Sequence, residues 1–257
     1  MLRYFVADLH LDDKRPDIIR AFVHFLQEKA ATADELYLLG DIFEAWIGDD
    51  APPPSLQSVY DTLHQLSSAS VRLFFQHGNR DFLVGEAFMH QIGAELLPEV
   101  HALETPHGTT LLLHGDQLCQ DDAAYQAFRQ QVRNPQWQAA FLSKSVAERL
   151  DVARQLRAAS REQGAQKAEY ITDVTPSAVS DLMEQHQALL MIHGHTHRPR
   201  MHTNQSPQGG VRIVLGDWDA SAWYLEQDEE GSRHFAFKLP DGNPQTAELQ
   251  DFLAAAD

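Results

Sequence analysis

Five short apolar runs, each stopping at a cluster of Gly, Asp, Asn or His, constrain this chain more than any other feature. They are Leu2–Ala7, Glu35–Leu39, Val71–Phe75, Thr109–Leu113 and Leu189–Ile192. Their length and β-rich composition predict buried strands. A sixth run, Val211–Leu215, has the same character. Amphipathic stretches, Pro16–Ala31 and Ser55–Ser68, separate the first three. Pro16 suits a first helical turn, and Ile18, Ile19, Phe22, Val23, Phe25 and Leu26 form one apolar face. This βαβαβ order predicts an α/β core.

The pattern then changes. Val100–Glu104, the turn-like Pro106-His107-Gly108 and Thr109–Leu113 read as a β-hairpin. Val211–Leu215, Ala222–Glu226 and His234–Leu239 read as a closing antiparallel meander. The expectation is an α/β fold with mixed (α+β) sheets packed together and helices outside. Asp121 to about Tyr170 reads as helical with no matching strands, so it interrupts the core as an inserted cap. The predicted organisation is a discontinuous core (1–120 and 168–240), a helical cap (121–167) and an acidic, Ala-rich tail (241–257), helical or without regular structure.

Composition narrows the function. A chain of 257 residues, 43% hydrophobic, buries its core without disulfides, and one cysteine, Cys119, permits no internal disulfide or multi-cysteine metal site. A lone Cys is ordinarily a small buried hydrophobe. No apolar run reaches the roughly 18 residues of a membrane span. Met1–Ala7 is too short for a signal peptide, so the chain reads as unprocessed and cytoplasmic. A net charge of −17 excludes general nucleic-acid binding. The charge is uneven: Arg129–Lys167 holds eight Lys/Arg against three Asp/Glu, a net +5, and the rest carries −22. That island is either a solvated helix face or a surface for an anionic partner.

The polar clusters carry the chemistry. Asp8 and His10 follow the first strand; alternate residues on an extended chain point the same way, so both reach one ion. Gly40-Asp41 ends the second run, where Gly40 allows a sharp turn. Gly78-Asn79-Arg80-Asp81 follows the third, offering an amide oxygen for a metal and a planar guanidinium for phosphate. His114-Gly115-Asp116 and His193-Gly194-His195-Thr196-His197 follow the next two. Each cluster alone is readily a turn or a strand-end polar residue. Together, at the carboxyl ends of strands, they converge on the edge where open α/β sheets bind ligands. Two Asp, one Asn and several His, with no thiolate, suit Mn²⁺, Fe²⁺ or Zn²⁺. Two divalent ions against two carboxylates leave positive charge for an anionic phosphate ester.

The series Asp8-x-His10, Gly40-Asp41, Gly78-Asn79-Arg80-Asp81, His114-Gly115-Asp116 and Gly194-His195-x-His197 resembles the calcineurin-like metallophosphoesterase superfamily. The resemblance implies a four-layer α/β sandwich. It implies that Asp8, His10, Asp41 and His197 hold one ion, and that Asp41 bridges to a second held with Asn79, His114 and His195. Longer strings narrow it: Gly40-Asp-Ile-Phe-Glu-Ala-Trp-Ile-Gly-Asp-Asp50, His77-Gly-Asn-Arg-Asp-Phe82, Leu113-His-Gly-Asp116, Asp121-Asp-x-x-Tyr-Gln-Ala-Phe-Arg129 and His193-Gly-His-Thr-His-Arg-Pro199. These are similar to the UDP-2,3-diacylglucosamine hydrolases of Gram-negative lipid A assembly.

That family resemblance implies hydrolysis of the substrate's pyrophosphate to UMP and 2,3-diacylglucosamine 1-phosphate (lipid X), by water activated with two divalent ions, Mn²⁺ foremost. It implies catalytic roles for Asp41, Asn79, Arg80 and His195. Substrate contacts map onto Asn79, Arg80, Asp122, Tyr125, Ser160, Gly164, Lys167 and His195. Gly164 stands where the family often has a polar side chain, and offers only its backbone. The cap residues Phe128, Val132, Trp137, Phe141, Leu142, Val146, Leu150, Val152 and Leu156 either line a groove for acyl chains or pack the cap on the core. The lipid substrate implies a peripheral enzyme on the cytoplasmic face of the inner membrane, drawn to an anionic surface, with no obligate protein partner. Other phosphodiesterases or phosphatases on this scaffold, or a non-catalytic relative of the fold, are the alternatives.

Overall fold

Strand side chains alternate between two different cores, and this sorts the molecule into layers. The computed structural model describes residues 1–164, 169–239 and 249–252, with backbone alone over 159–164, 169–170 and 249–252. In β1 (Arg3–Val6), Tyr4 and Val6 face a helix-covered core, whereas Phe5 faces a second sheet. In β2 (Glu35–Leu39), Leu36 and Leu38 face the helices, and Tyr37 and Leu39 the second sheet. A period of two along strands buried on both faces produces this split.

The first sheet adds β3 (Arg72–Gln76) and β4 (Ala94–Leu96), parallel to β1 and β2. On the other side of β1 lie β10 (Ser221–Gln227), β11 (Ser232–Lys238) and β12 (Leu249–Phe252), all joined antiparallel. The strand order is β12-β11-β10-β1-β2-β3-β4. The second sheet, in order β5-β6-β7-β9-β8, contains β5 (Val100–Thr105), β6 (Gly108–Leu113), β7 (Leu190–His193), β8 (Arg200–His202) and β9 (Val211–Val214). β6, β7 and β9 run parallel, and the flanking strands antiparallel.

Helices α1 (Pro16–Glu28), α2 (Gln57–Ser68) and α3 (Glu86–Ile92) cover the outer face of the first sheet through Phe22, Phe25, Tyr60, Leu63 and Phe88. α7 (Pro176–Gln185) covers the second through Val179 and Met183. Helix, sheet, sheet and helix make the four-layer sandwich that the motifs imply. The tail departs from expectation. Leu249–Phe252 is neither helical nor irregular but pairs along β11 as the sheet's last strand. β11 presents an unpaired edge, and edge hydrogen bonding outweighs the helix propensity of a short segment.

Between β6 and α7 the chain leaves the sandwich as α4 (Ala123–Val132), α5 (Pro135–Leu142) and α6 (Val146–Gly164). Asp122 caps α4, its carboxylate accepting the Tyr125 amide at 3.0 Å. Asn134 caps α5, which begins with Pro135. The basic island is not the uniform solvated face the sequence suggests. Arg149 is 2% exposed and reaches back to the loop after β2, donating to the Ile47 carbonyl at 2.6 Å and pairing with Asp50. Arg129 pairs with buried Asp116 at 2.8 Å, and Arg157 with Glu44 at 3.2 Å. Spacing of four residues puts Arg149, Ala153 and Arg157 on one helix face, and that face looks inward.

Candidate metal centre

Every polar cluster leaves its strand at the same edge of the sandwich, and the backbone turns there by an uncommon route. Asp8, His10, Asp41, His195 and His197 all have positive φ, between 48° and 68°. Only a few per cent of non-glycine residues do so, and such strain concentrates at functional sites. Asp8 and His10 converge, but not as alternate residues of an extended strand; each sits in a left-handed turn that aims its side chain across the edge. His195 and His197 do the same. Glycines beside them permit close approach: a Cβ on Gly78 would strike the Asp41 backbone, and one on Gly194 the Asp8 carboxylate.

Two groups of donors result. Ligand atoms of Asp8, His10 and His197 lie within 4.8 Å of one another, as do those of Asp8, Asp41 and His114. Asp41 faces both groups, with Oδ2 4.0 Å from His10 Nε2 and Oδ1 3.7 Å from His114 Nε2. Asn79 Oδ1 lies 3.1 Å from His114 Nε2 and 2.9 Å from His195 Nδ1. All seven residues singled out as metal ligands therefore meet at one edge. Asp8 falls in both groups, although the family resemblance implies bridging by Asp41 alone.

The chemistry of these contacts fits cations. His10 Nε2 and His197 Nε2 face each other at 3.3 Å, a distance at which two lone pairs repel unless a proton or cation joins them. Asp8 Oδ1 is buried, with His197 Nε2 near it at a long 3.4 Å. His114 Nδ1 donates to the Leu39 carbonyl at 3.0 Å, which leaves Nε2 as a lone pair against the Asn79 oxygen unless it too is protonated. Burial lowers the His114 pKa, but Asp41, Asp8 and Asp116 raise it above its ordinary value. His197 is likewise pushed up to about 10, against burial, by hydrogen bonds to Asp217 and Asp8. His195 moves the other way, down to about 4, through burial and the neighbouring His114. The edge thus holds concentrated negative charge and convergent lone pairs, which divalent ions satisfy.

Supporting residues fix the ligands. His10 Nδ1 lies 3.1 Å from Glu44 Oε2, and His197 Nδ1 3.4 Å from Asp217 Oδ2, so both rings turn Nε2 inward. Neither acid emerges from the sequence reading. Asp217 had a signal, since Gly216-Asp217 follows the strand run Val211–Leu215 just as Gly40-Asp41 follows the second. Glu44 had none beyond its place three residues after Asp41. Asp81 is fully buried and accepts backbone N–H bonds from Gly78 at 2.8 Å, Ile42 at 2.8 Å, and Asp41 and Phe43 at 3.3 Å. It locks together the loops that carry Asp41 and Asn79. His193, third of the histidine cluster, turns away to Arg212 at 3.1 Å.

The cap closes over one side of this edge. Tyr125 stacks on His195 with ring centroids 5.8 Å apart and donates its hydroxyl to Asp116 at 2.8 Å. Beside them lies a cavity of about 250 Å³. Asn79, Arg80, Glu44 and Arg157 are among its polar lining residues, and Phe128, Trp137, Phe141 and Leu156 among its apolar ones. Other cap residues differ: Val132 is buried, Val152 packs on the core, and Leu142, Val146 and Leu150 are about 40% exposed. The apolar cap residues thus divide among groove, core contact and surface. Among the substrate contacts the sequence suggests, Asp122 serves the α4 cap and Tyr125 flanks the centre. The Ser160 side chain and all of Lys167 lie outside the described residues, and Gly164 is described only as the backbone that ends α6.

Residues 1–199 match the family model for calcineurin-like phosphoesterases, and the chain belongs to that family. Membership and the two donor groups together imply divalent metal ions at this edge. Curated relatives align over almost their whole length. A UDP-2,3-diacylglucosamine hydrolase from Tolumonas auensis is 50% identical over 89% of this chain and 94% of its own. Hydrolases of the same name from Stutzerimonas stutzeri and Hahella chejuensis are 44% and 46% identical, over 91% and 92% of this chain and 98% of theirs.

Proposed function

We propose that the chain hydrolyses the pyrophosphate bond of UDP-2,3-diacylglucosamine, giving UMP and 2,3-diacylglucosamine 1-phosphate in lipid A biosynthesis. One observation supports this reading beyond the relatives' names: the cavity that Asn79 of the donor set lines, with Arg80, has an aromatic, aliphatic wall supplied by the cap. A cyclic nucleotide or a phosphopeptide has no use for that wall; a diacylated nucleotide sugar has both halves.

Asp8, His10, Asp41 and His197 would hold one ion, and Asp41, Asn79, His114 and His195 the other, with Mn²⁺ the proposed metal. Bound there, the ions lower the pKa of water and offset phosphate charge. The protein's own groups do the rest. Arg80 borders the cavity beside Asn79, its Nε buried without a partner, and its planar fork suits phosphate oxygens. Its backbone N–H holds Asp41 Oδ1 at 2.7 Å, so ligand and phosphate-binding side chain are placed together. His195, kept neutral by burial, presents a lone pair at neutral pH. Tyr125 excludes water from one face of His195. The uridine-bearing phosphorus would sit at the donor edge, and the lipid phosphate would leave toward Arg80 with its acyl chains along the cap.

No helix among the described residues is long and apolar enough to cross a membrane. We infer that the enzyme reaches its lipid from the cytoplasmic face of the inner membrane, cap first. Exposed Leu142, Val146 and Leu150 on the cap support that orientation. Vesicle co-sedimentation checks it: substituting the three apolar residues by Ser should release the protein, and undiminished binding would refute the orientation. The catalytic reading is checked by offering UDP-2,3-diacylglucosamine, cAMP and a phosphopeptide to Mn²⁺-loaded protein. UMP release from the first alone is expected. Comparable turnover of either other substrate, with no UMP, would overturn it.

A further inference from the structure

Glu44 lies outside every ligand cluster, yet its carboxylate faces two ways. Oε2 sits 3.1 Å from His10 Nδ1 in the core, and Oε1 accepts from Arg157 of α6 at 3.2 Å. The Glu44 and Arg157 side chains are only 17% and 24% exposed, so water competes weakly for either contact. A second arginine on the same face of α6, Arg149, grips the loop that follows Glu44 through the Ile47 carbonyl and Asp50. The loop after β2 is therefore held between a candidate metal ligand and the cap.

We propose that Glu44 is a positioning residue that couples the seating of cap helix α6 to the orientation of His10, and so to metal affinity at the Asp8–His10–His197 position. The inference rests on the reading of His10 as a ligand. An imidazole whose Nδ1 is held by a carboxylate presents Nε2 in one orientation and with raised basicity. Arg157 holds the other oxygen of that carboxylate. When α6 lifts, Glu44 loses the Arg157 contact that helps hold its carboxylate toward His10. Coupling between two binding equilibria is reciprocal, so metal at this position must favour the seated cap by the factor by which the seated cap favours metal. A substrate that presses the cap down would thereby tighten the ion it needs, and an empty cap would hold that ion more loosely.

The test compares wild type with Glu44→Ala, Glu44→Gln and Arg157→Gln. Mn²⁺ binding is read from the electron paramagnetic resonance of the free ion, and amide exchange over residues 146–158 is followed with and without Mn²⁺. Wild type should bind two ions and exchange more slowly in α6 when loaded. Glu44→Ala should weaken one ion about ten- to a hundredfold, the range for loss of such a supporting partner, and leave the other within a few-fold. Glu44→Gln retains an oxygen for His10 but turns an N–H₂ toward Arg157. It should recover most of the affinity yet lose the metal-dependent protection of α6. Arg157→Gln, which borders the cavity and reaches His10 only through Glu44, should weaken the same ion a few-fold and lose the same protection. Two wild-type affinities in Glu44→Ala overturn the proposal, as does metal-dependent protection that survives in both Gln variants. A wild type that binds no Mn²⁺ would instead overturn the metal assignment beneath it.

Discussion

Arg149→Met removes a buried guanidinium while keeping most of the side chain's apolar bulk. In the structure that guanidinium makes two kinds of contact. Its bond to the Ile47 carbonyl, 2.6 Å long and buried, is charge-assisted and worth about 1.5–3 kcal/mol. Its pairing with Asp50 counts for less, because the Asp50 side chain is 62% exposed; about 0.5 kcal/mol is a fair share after solvent screening. Packing of the aliphatic stem is largely retained by Met. A loss of roughly 2–3.5 kcal/mol falls on the docking of α6 rather than on the sandwich, because both partners of Arg149 lie on the loop beneath the cap. At tenfold per 1.4 kcal/mol, amides of residues 146–158 should exchange about 30- to 300-fold faster, while those of β1, β2 and β6 stay unchanged. Amide exchange read by mass spectrometry resolves such a difference. If α6 exchanges at the wild-type rate while binding to anionic vesicles weakens, Arg149 faces the lipid, as the anionic-partner reading of the island holds, and the inward orientation of Arg149 is wrong.

Three further outcomes follow from the same geometry. Arg80→Ala should lower turnover roughly ten- to a hundredfold, as loss of a charge-assisted contact of about 1.5–3 kcal/mol in the transition state implies, with metal content unchanged; full rescue by Arg80→Lys would show that a point charge suffices. Asp41→Ala should bind fewer than two ions per chain by elemental analysis and lose turnover, since Asp41 faces both donor groups; two retained ions at near-normal rate would contradict that. His234 is buried with Nε2 unpartnered, and burial lowers its pKa to about 4. Its folded value lies below the ordinary 6.5, so the unfolded chain binds the extra proton first and stability falls as pH drops from about 6.5 to 4. His234→Phe should flatten that limb in urea melts by up to about 3 kcal/mol, and an unchanged acid limb would show that His234 is not its source.

The sandwich was legible because its strands are short, apolar and separated by amphipathic helices. Nine of its strands and its first two helices stand where hydrophobic runs and Pro16 place them, within a residue or two at most ends. What escaped was structure specified by neighbours rather than by pattern. β4 and β8 are three residues each and owe their existence to the strands they pair with. Leu249–Phe252 joins the sheet because β11 offers an edge. The candidate ligands were legible as types and positions, since Asp8, Asp41, Asn79, His114, His195 and His197 each follow a strand. The backbone that aims them was not: left-handed φ at Asp8, His10, His195 and His197 leaves no compositional mark at residues other than glycine. Glu44 and Arg149, which act through a partner, were equally silent, because their meaning lies in contacts across 34 and 99 positions, to His10 and Asp50; Asp217, 20 positions from His197, was marked only by the Gly-Asp pair that follows its strand.

Release of UMP from UDP-2,3-diacylglucosamine, measured against Mn²⁺ bound per chain, tests the central claim most directly. Protein stripped with EDTA should be inactive. Rate should return with added Mn²⁺ and reach its plateau only as the second ion binds. Full turnover by stripped protein, or a plateau reached at one ion per chain, would contradict a centre in which Asp41 serves two metals.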